Sequence, residues 1–205
     1  MFTDITLPNK NEMEFADLAY RLGYKKLYCL YDFNEFSNIK KRLDTIENIR
    51  KISIEIGFIV NQKNLNEAVQ HSKLLVVKSS DKDRFFIETK KIRLIYGFEE
   101  LHKKDYLHQR ASGLNHTLCE LAKENNIIIG FSYSSLLNED KQTSALLIGR
   151  MMQNIRMCQK YKVKTVIGSF SSNPYDLRSP HDIASLFSLF GMDGKRIKDS
   201  LNYKL

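Results

Sequence analysis

Short apolar runs alternate with amphipathic stretches along all 205 residues, and this alternation is what most limits the fold. The runs are rich in Ile, Val, Leu and Tyr, as expected of strands that helices cover on both faces. They predict seven strands, at residues 2–7, 27–31, 54–60, 74–78, 92–97, 127–131 and 165–170. Strands that alternate with helices in this way predict a parallel sheet built by βαβ crossovers.

The stretches between the runs carry helical periodicity. The longest helix is predicted over residues 139–161, and the first helix should stop at Gly23. Three apolar stripes support this pattern: Phe15, Leu18, Ala19 and Leu22; Leu114, Leu118, Leu121 and Ala122; and Leu147, Met151, Ile155 and Cys158.

Such a sheet can stay open and doubly wound, or it can close into a barrel. No glycine-rich dinucleotide fingerprint follows the first strand, where residues 7–10 read Leu-Pro-Asn-Lys, and this weakens the doubly wound alternative. A full (β/α)8 barrel takes about 250 residues, so a barrel of this length would be compact and short of an element. We predict a compact TIM-barrel-like α/β fold, with residues 1–205 as one domain.

The charge balance is unusual. The chain has 32 Lys and Arg against 24 Asp and Glu, a formal charge of +8. Such an excess favours a polyanionic partner, either nucleic acid or an anionic membrane surface. Residues 141–175 contain no acidic residue but include Lys141, Arg150, Arg156, Lys160, Lys162 and Lys164. This stretch predicts a positive field directed at phosphate, unless acidic residues of neighbouring helices balance it.

A second basic patch covers residues 103–110. Tyr106 and His108 are interleaved with its cations, and such aromatic rings could stack on unpaired bases. The alternative is an ordinary solvated loop.

The cellular setting is indicated by what the sequence lacks. The three cysteines, Cys29, Cys119 and Cys158, are widely spaced along the chain, and no pair has zinc-site spacing. Neither a signal peptide nor an apolar run of about 20 residues is present. We therefore expect a soluble, cytoplasmic protein with no membrane partner.

Candidate reactive groups at the predicted strand ends are few: Thr6, Asp32, Asn61, Ser79, Ser132 and residues 169–173. The five histidines are scattered over predicted helices and loops, without metal-site spacing. No serine lies in a nucleophile elbow with a histidine partner. We expect neither a metal site nor a catalytic site in the protein.

The C-terminal segment has strong local signals for a helix. Ser179 can cap a helix that begins at Pro180, and Asp182 lies three residues on, at capping-box spacing. Arg178 then lies just outside the helix N-terminus, a favourable place to meet an anion such as phosphate. The alternative is that Arg178 pairs with a carboxylate.

Two motifs together resemble the archaeal ribonuclease P protein component 3 family, the counterpart of the eukaryotic thirty-kilodalton subunit. The first joins Arg110-Ala111-Ser112-Gly113-Leu114-Asn115-His116 with Ile129-Gly130-Phe131-Ser132. The second joins Asp176-Leu177-Arg178-Ser179-Pro180-His181-Asp182 with Ser185-Leu186 and Leu189-Phe190-Gly191-Met192. The order of strands and helices also fits this family over essentially the whole chain.

The resemblance implies a TIM-barrel-like fold related to polymerase and histidinol phosphatase domains. Active members of that group bind metals through a His-x-His motif on the first strand, which here reads Thr3-Asp4-Ile5-Thr6-Leu7. It implies a protein subunit that binds and stabilises the catalytic RNA, which uses its own Mg²⁺ to cleave precursor tRNA at the 5′ end. The implied protein partner is the component 2 subunit, as a heterotetramer, and no cofactor is expected on this chain.

By their match to the family motifs, Arg93, Arg110, Lys160 and Arg178 are the predicted RNA-binding residues. His116 is available for a further polar contact, and Ser179 and Asp182 would support the loop of Arg178. The rival hypothesis is a free-standing barrel phosphoesterase that acts on a small phosphorylated substrate.

Overall fold

The computed structural model describes residues 2–42, 52–102, 104–137 and 139–205. One sheet of seven parallel strands is arranged in chain order, β1 to β7. The strands are β1 (Thr3–Thr6), β2 (Lys26–Asp32), β3 (Ser53–Ile59), β4 (Leu75–Lys78), β5 (Leu94–Tyr96), β6 (Ile128–Ser132) and β7 (Thr165–Gly168). The predicted strands and their parallel arrangement are confirmed.

Helices connect consecutive strands and pack on the outside of the sheet. Within the described residues they are α1 (Glu12–Arg21), α2 (Phe36–Lys40), α3 (Leu65–His71), α4 (Asp83–Thr89), α5 (His116–Glu124), α6 (Lys141–Tyr161), α7 (Pro180–Leu189) and α8 (Gly194–Leu201). Two predicted boundaries change because side chains cap the helices later. Asp140 accepts the amide protons of Gln142 and Thr143 and so starts α6, while Asn115 caps α5 and leaves Leu114 outside it.

The sheet closes where β1 meets β7. The Phe170 amide donates to the Ile5 carbonyl at 2.7 Å, and the Leu7 amide donates to the Ser171 carbonyl at 2.9 Å. These bonds lie at the carboxyl ends of the strands. The result is a nearly closed barrel of seven strands, as the chain length predicts.

We call the junction of β1 and β7 the seam. At the amino ends of the strands, α8 and the C-terminal residues complete it. The Thr3 hydroxyl donates to the Leu201 carbonyl at 3.2 Å, and the hydroxyls of Thr165 and Ser200 lie 2.7 Å apart. The Leu205 amide donates to the Tyr28 hydroxyl inside the barrel at 2.9 Å. Tyr203 and Leu205 therefore pack against the apolar interior formed by Ile5, Tyr28, Leu30, Leu74, Val76, Leu94, Tyr96, Ile128, Val166 and Phe170.

All three cysteines are buried with free thiols, in the layer between sheet and helices. Cys119 of α5 and Cys158 of α6 are neighbours in this layer. Among the described helices, none combines the length and the apolar character needed to cross a membrane.

Candidate nucleic-acid interface

Several polar residues at the carboxyl ends of the strands, where barrel enzymes carry their reactive groups, form hydrogen bonds within the protein. Asn61 Oδ1 accepts the Lys63 amide at 2.9 Å. The Ser79 hydroxyl donates to Asp83 at 2.6 Å, and the Ser169 hydroxyl donates to the Ile5 carbonyl at 2.9 Å. In the part of the chain that the structure describes, no three His, Cys, Asp or Glu side chains are grouped as a metal site requires.

Arg150 is buried, with 2% of its surface exposed. Its Nε donates to Asp105 Oδ1 at 2.8 Å, and its Nη1 donates to the carbonyls of Glu99 at 2.9 Å and His102 at 2.6 Å. The expectation that Arg150 belongs to an outward-facing basic field is wrong. Its guanidinium instead ties the long loop between β5 and α5 to helix α6.

Arg110 lies on the same loop and is half exposed, 4.0 Å from Asp105. Its guanidinium packs against Gly149 so closely that a Cβ at that glycine would come within 1.9 Å of Nη1. Burial acts to raise the pKa of Asp105, but hydrogen bonds from the Ala111 amide and Arg150 outweigh it, and the pKa is lowered. Asp105 is therefore a fixed anion that orients both arginines.

The Ser112-Gly113 pair of the first motif is fixed by contacts with its surroundings. Asn154 Nδ2 donates to the Ser112 carbonyl at 2.9 Å and to Glu99 Oε1 at 3.1 Å. Gly113 has φ +78°, and a Cβ there would lie 2.5 Å from the Phe98 carbonyl oxygen, so only glycine fits. This arrangement leaves His116 exposed at the first turn of α5.

Arg178 is exposed in the loop between β7 and α7. Its Nη1 donates to the carbonyls of Tyr175 at 2.8 Å and Leu177 at 2.9 Å, and no described carboxylate forms an ion pair with it. The predicted cap of α7 is present: Ser179 Oγ accepts the Asp182 amide at 3.2 Å. The Asp182 carboxylate accepts the Ser179 hydroxyl at 2.8 Å, rather than an amide as in a full capping box.

A buried polar network holds this loop from below. Asp4 of β1 accepts the Ser169 amide at 2.7 Å and the Tyr133 hydroxyl at 3.2 Å. Tyr133 in turn accepts the Arg178 amide at 3.4 Å, while the Tyr24 hydroxyl donates to the Arg178 carbonyl at 2.9 Å. Burial raises the pKa of Asp4 to about 7. The backbone at Arg178 is thus fixed to the sheet.

Arg93 and Lys160 lie at the opposite end of the barrel. Arg93 directly precedes β5, and Lys160 is in the last turn of α6. A seven-residue strand such as β2 spans about 20 Å, so groups at the two ends cannot reach one phosphate. The predicted RNA-binding residues therefore divide into Arg110, His116 and Arg178 at the carboxyl end and Arg93 and Lys160 at the amino end.

We define the amino-end surface by the loops at residues 22–25, 72–74, 90–93, 125–127 and 162–164, which lead into β2, β4, β5, β6 and β7. These loops contain no acidic residue. Their cations are Lys25, Lys73, Lys90, Lys91, Arg93, Lys162 and Lys164. None of these seven side chains forms an ion pair with a described residue, and all are at least partly exposed. Asp193 and Asp199, at the N-cap and within α8, lie near Lys162 and Lys164, but the seven loop cations outnumber them, so the field at this end is positive.

Comparison with known proteins identifies the family. The model for RNase P subunit p30 matches residues 1–204. The chain belongs to this family. Ribonuclease P protein component 3 of Methanothermobacter thermautotrophicus is 22% identical over 195 residues, which is 89% of this chain and 77% of that protein. The component 3 protein of Thermococcus gammatolerans is 33% identical over 132 residues, 63% of this chain and 58% of that protein.

The fold is also found in solved structures. One match is a chain of archaeal ribonuclease P, determined by cryo-EM with mature tRNA, with a TM-score of 0.77 and 19% identity. The match covers 97% of this chain and 87% of that chain. Ochratoxinase from A. niger has a TM-score of 0.55 and 12% identity, over 92% of this chain and 62% of the enzyme. At these identities the likeness shows a shared barrel fold alone.

The p30 motifs pointed to only part of the amino-end surface. Lys25, Lys73, Lys90 and Lys91 were not among the predicted site residues. A signal was present in the sequence, because each of these lysines lies within four residues before a strand or its predicted start. Residues before successive parallel strands gather at one end of the sheet, so this position marks a shared surface.

Proposed function

We propose that the protein is a subunit of ribonuclease P that binds and stabilises the RNA which cleaves precursor tRNA at its 5′ end. The observation that carries this proposal is the p30 family match over residues 1–204. The structure supports a binding role, since several polar groups at the carboxyl ends of the strands are engaged in hydrogen bonds within the protein. No observation favours the alternative, a free-standing phosphoesterase.

In this proposal the amino-end surface is the main contact with RNA phosphate. Its cations displace condensed counterions when they approach the RNA, which makes binding favourable and steeply dependent on salt. Neutralised phosphates can pack more closely, so the RNA folds at a lower Mg²⁺ concentration. The RNA holds the catalytic Mg²⁺, and the protein alone does not cleave.

The remaining partners are inferred from the family. Precursor tRNA is the substrate of the assembled enzyme, and the component 2 subunit joins this chain in a heterotetramer. The assembly acts in the cytoplasm. Arg110 and Arg178, held rigidly at the carboxyl end, add a second and smaller phosphate contact.

Reconstitution tests the proposal directly. Cleavage of precursor tRNA is measured across a Mg²⁺ titration, with the RNA and the other protein subunits, in the presence and absence of this chain. Omission should raise the Mg²⁺ concentration needed for half-maximal cleavage and lower the rate. An unchanged Mg²⁺ requirement and rate would refute the ribonuclease P role.

The protein alone provides the second arm of the experiment. It is incubated with precursor tRNA and, separately, with a chromogenic phosphomonoester and divalent metal. We expect no turnover of either substrate. Metal-dependent phosphomonoester hydrolysis that copurifies with the protein would support the phosphoesterase instead.

A further inference from the structure

A cavity of about 570 Å³ opens at the carboxyl end of the barrel, and RNA binding through the amino-end surface does not use it. It lies between the ends of β4 to β7, the loop after β5 and the first turns of α6. Pockets that bind small molecules span roughly 300–1,000 Å³, with apolar walls and a few placed polar groups. The cavity has the size of such a site, and its lining combines an apolar and aromatic part with a polar part.

Two stacked aromatic rings line the cavity. The rings of Tyr96 and Phe170 are 4.3 Å apart and inclined by 11°. Phe170 has φ +49°, a left-handed conformation that is rare for a bulky side chain. Such strain persists only where the surroundings enforce it, and it concentrates at ligand sites. Together with Leu7, Leu146 and Leu147, the rings form the apolar part of the lining.

One wall consists of three serine hydroxyls whose protons are already used. Ser132 and Ser134 both donate to the Ser169 carbonyl, and Ser135 donates to the Ser132 carbonyl at 2.8 Å. A hydroxyl has one proton to donate and two lone pairs that accept. This wall therefore accepts hydrogen bonds from a ligand, and the carboxylate of Glu139 adds another acceptor.

The cations of the cavity are already neutralised. Lys78 pairs with Glu100 at 2.8 Å, and Arg150 pairs with Asp105 at 2.8 Å. Apart from Arg150 Nη2, which is buried and has no hydrogen-bond partner among the described residues, these cationic groups are engaged by protein acceptors. A phosphate would therefore meet mainly serine lone pairs and carboxylates. The lining thus suits a planar, uncharged ring that carries N–H donors.

We propose that this cavity binds an amino-bearing nucleobase: adenine, cytosine or guanine. The base stacks on the aromatic lining and donates its amino protons to the serine wall. It belongs either to an unpaired nucleotide of the partner RNA or to a free nucleoside. The first source rests on the proposed function, whereas the second does not.

Nucleosides, which lack phosphate, test the pocket in the isolated protein. Adenosine, cytidine and uridine are titrated to about 10 mM while backbone amide resonances are followed by NMR, because base binding at this scale is worth only a few kcal/mol. Adenosine and cytidine should give saturable shifts at residues 132–135 and 170. Uridine has no amino group, and its one N–H donor lies between two carbonyl oxygens that would face the acceptors of the serine wall, so it should bind at least tenfold more weakly. Equal binding of uridine, or no saturation with any nucleoside, would overturn the proposal.

Two variants locate the binding in the cavity. Ser135→Tyr fills the pocket and should abolish nucleoside shifts, whereas Ser172→Tyr, at the same end but outside the lining, should leave them unchanged. Ser135→Ala removes one acceptor without filling the space and should weaken adenosine binding about tenfold. Loss of binding in Ser172→Tyr, or full binding in Ser135→Tyr, would place the nucleoside elsewhere and refute the site.

RNA binding separates the two sources of the base. If the occupant is an RNA nucleotide, Ser135→Tyr should reduce affinity for the ribonuclease P RNA about tenfold without altering its salt slope. If only nucleoside binding is lost, the occupant is a free nucleoside. The reconstitution experiment reports on the ribonuclease P role separately, because nucleoside titration requires only this chain.

Discussion

At the carboxyl end of the barrel, several positively charged side chains are engaged by carboxylates or carbonyls of the protein, whereas the cations of the amino-end surface form no ion pairs with described residues. Arg150 and Lys78 pair with carboxylates, and Arg178 donates to carbonyls of its own loop. The seven cations of the amino-end surface have no such ion pairs among the described residues. The contrast separates charges that stabilise the fold from charges available to a partner. Removing one kind should change stability, and removing the other should change RNA affinity.

The largest effect is expected for Arg150→Ala. The change leaves Asp105 and two loop carbonyls without their buried partner, so the free energy of unfolding should fall by about 3–5 kcal/mol. Urea denaturation measures this loss. Arg156→Ala, on an exposed position of the same helix, is the control and should change stability by less than about 0.5 kcal/mol. Similar stabilities for both variants would contradict the structural role of Arg150.

At the other end, the quadruple variant Lys73→Ala, Lys91→Ala, Lys162→Ala and Lys164→Ala tests the amino-end surface. It should lower RNA affinity roughly 100-fold and the salt slope by about four units, with little change in stability. Filter binding at several salt concentrations gives both quantities. The matched control removes Lys10, Lys63, Lys82 and Lys104 from the carboxyl end. Equal losses in the two variants would mean that net charge, not the amino-end surface, governs binding.

The pH dependence of stability should come from buried acids at the seam and at the carboxyl end. Burial raises the pKa of Asp4 and of Glu99 to about 7, so each favours its protonated form in the folded protein. Their contribution to folding stability is fully present below about pH 4 and is lost as the pH rises through 7. Between pH 5 and 7 each group should lower the free energy of unfolding by on the order of 2 kcal/mol, because it ionises in the unfolded chain but stays largely protonated in the fold.

Asp4→Asn removes one of these two titrations while it keeps an acceptor for the Ser169 amide. Its urea midpoint should therefore depend less on pH than that of the wild type. The remaining slope should come from Glu99 and from Asp83, whose pKa burial also raises. RNA affinity should not follow this pH profile, because the amino-end surface has no acidic loop residues. A wild-type stability that rises from pH 5 to 7 would show that Asp4 and Glu99 stay ionised in the fold.

The smallest effect is expected for Arg178→Ala. Its exposed guanidinium should contribute one phosphate contact, so the salt slope should fall by about one unit while the fold stays intact. Thermal unfolding and RNA titration are measured on the same sample. A loss of stability without a change in the salt slope would show that Arg178 is a structural residue and that RNA contacts only the amino end.

The sequence predicted the features that depend on local pattern. The seven strands follow from apolar runs, and the cap at Ser179 follows from residue types within three positions. The burial of Arg150 could not be predicted this way, because its partner Asp105 lies 45 residues away on a loop without periodicity. The sequence also did not show that the predicted RNA-binding residues lie at two ends of the barrel. Successive loops alternate between these ends, so residues close in sequence, such as Lys160 and Arg178, are far apart in space.

The C-terminal residues Tyr203 and Leu205 pack against the barrel interior, and this also affects how the chain folds. Thr3 meets Leu201 across a separation of 198 positions, and Leu205 reaches Tyr28 across 177. Contacts this distant in sequence require loop closure before they contribute any stability, and chains rich in them fold slowly. The first strands can pair with each other locally, but closure of the barrel between β1 and β7 depends on these distant contacts, so we expect a slow refolding phase that reports on this closure.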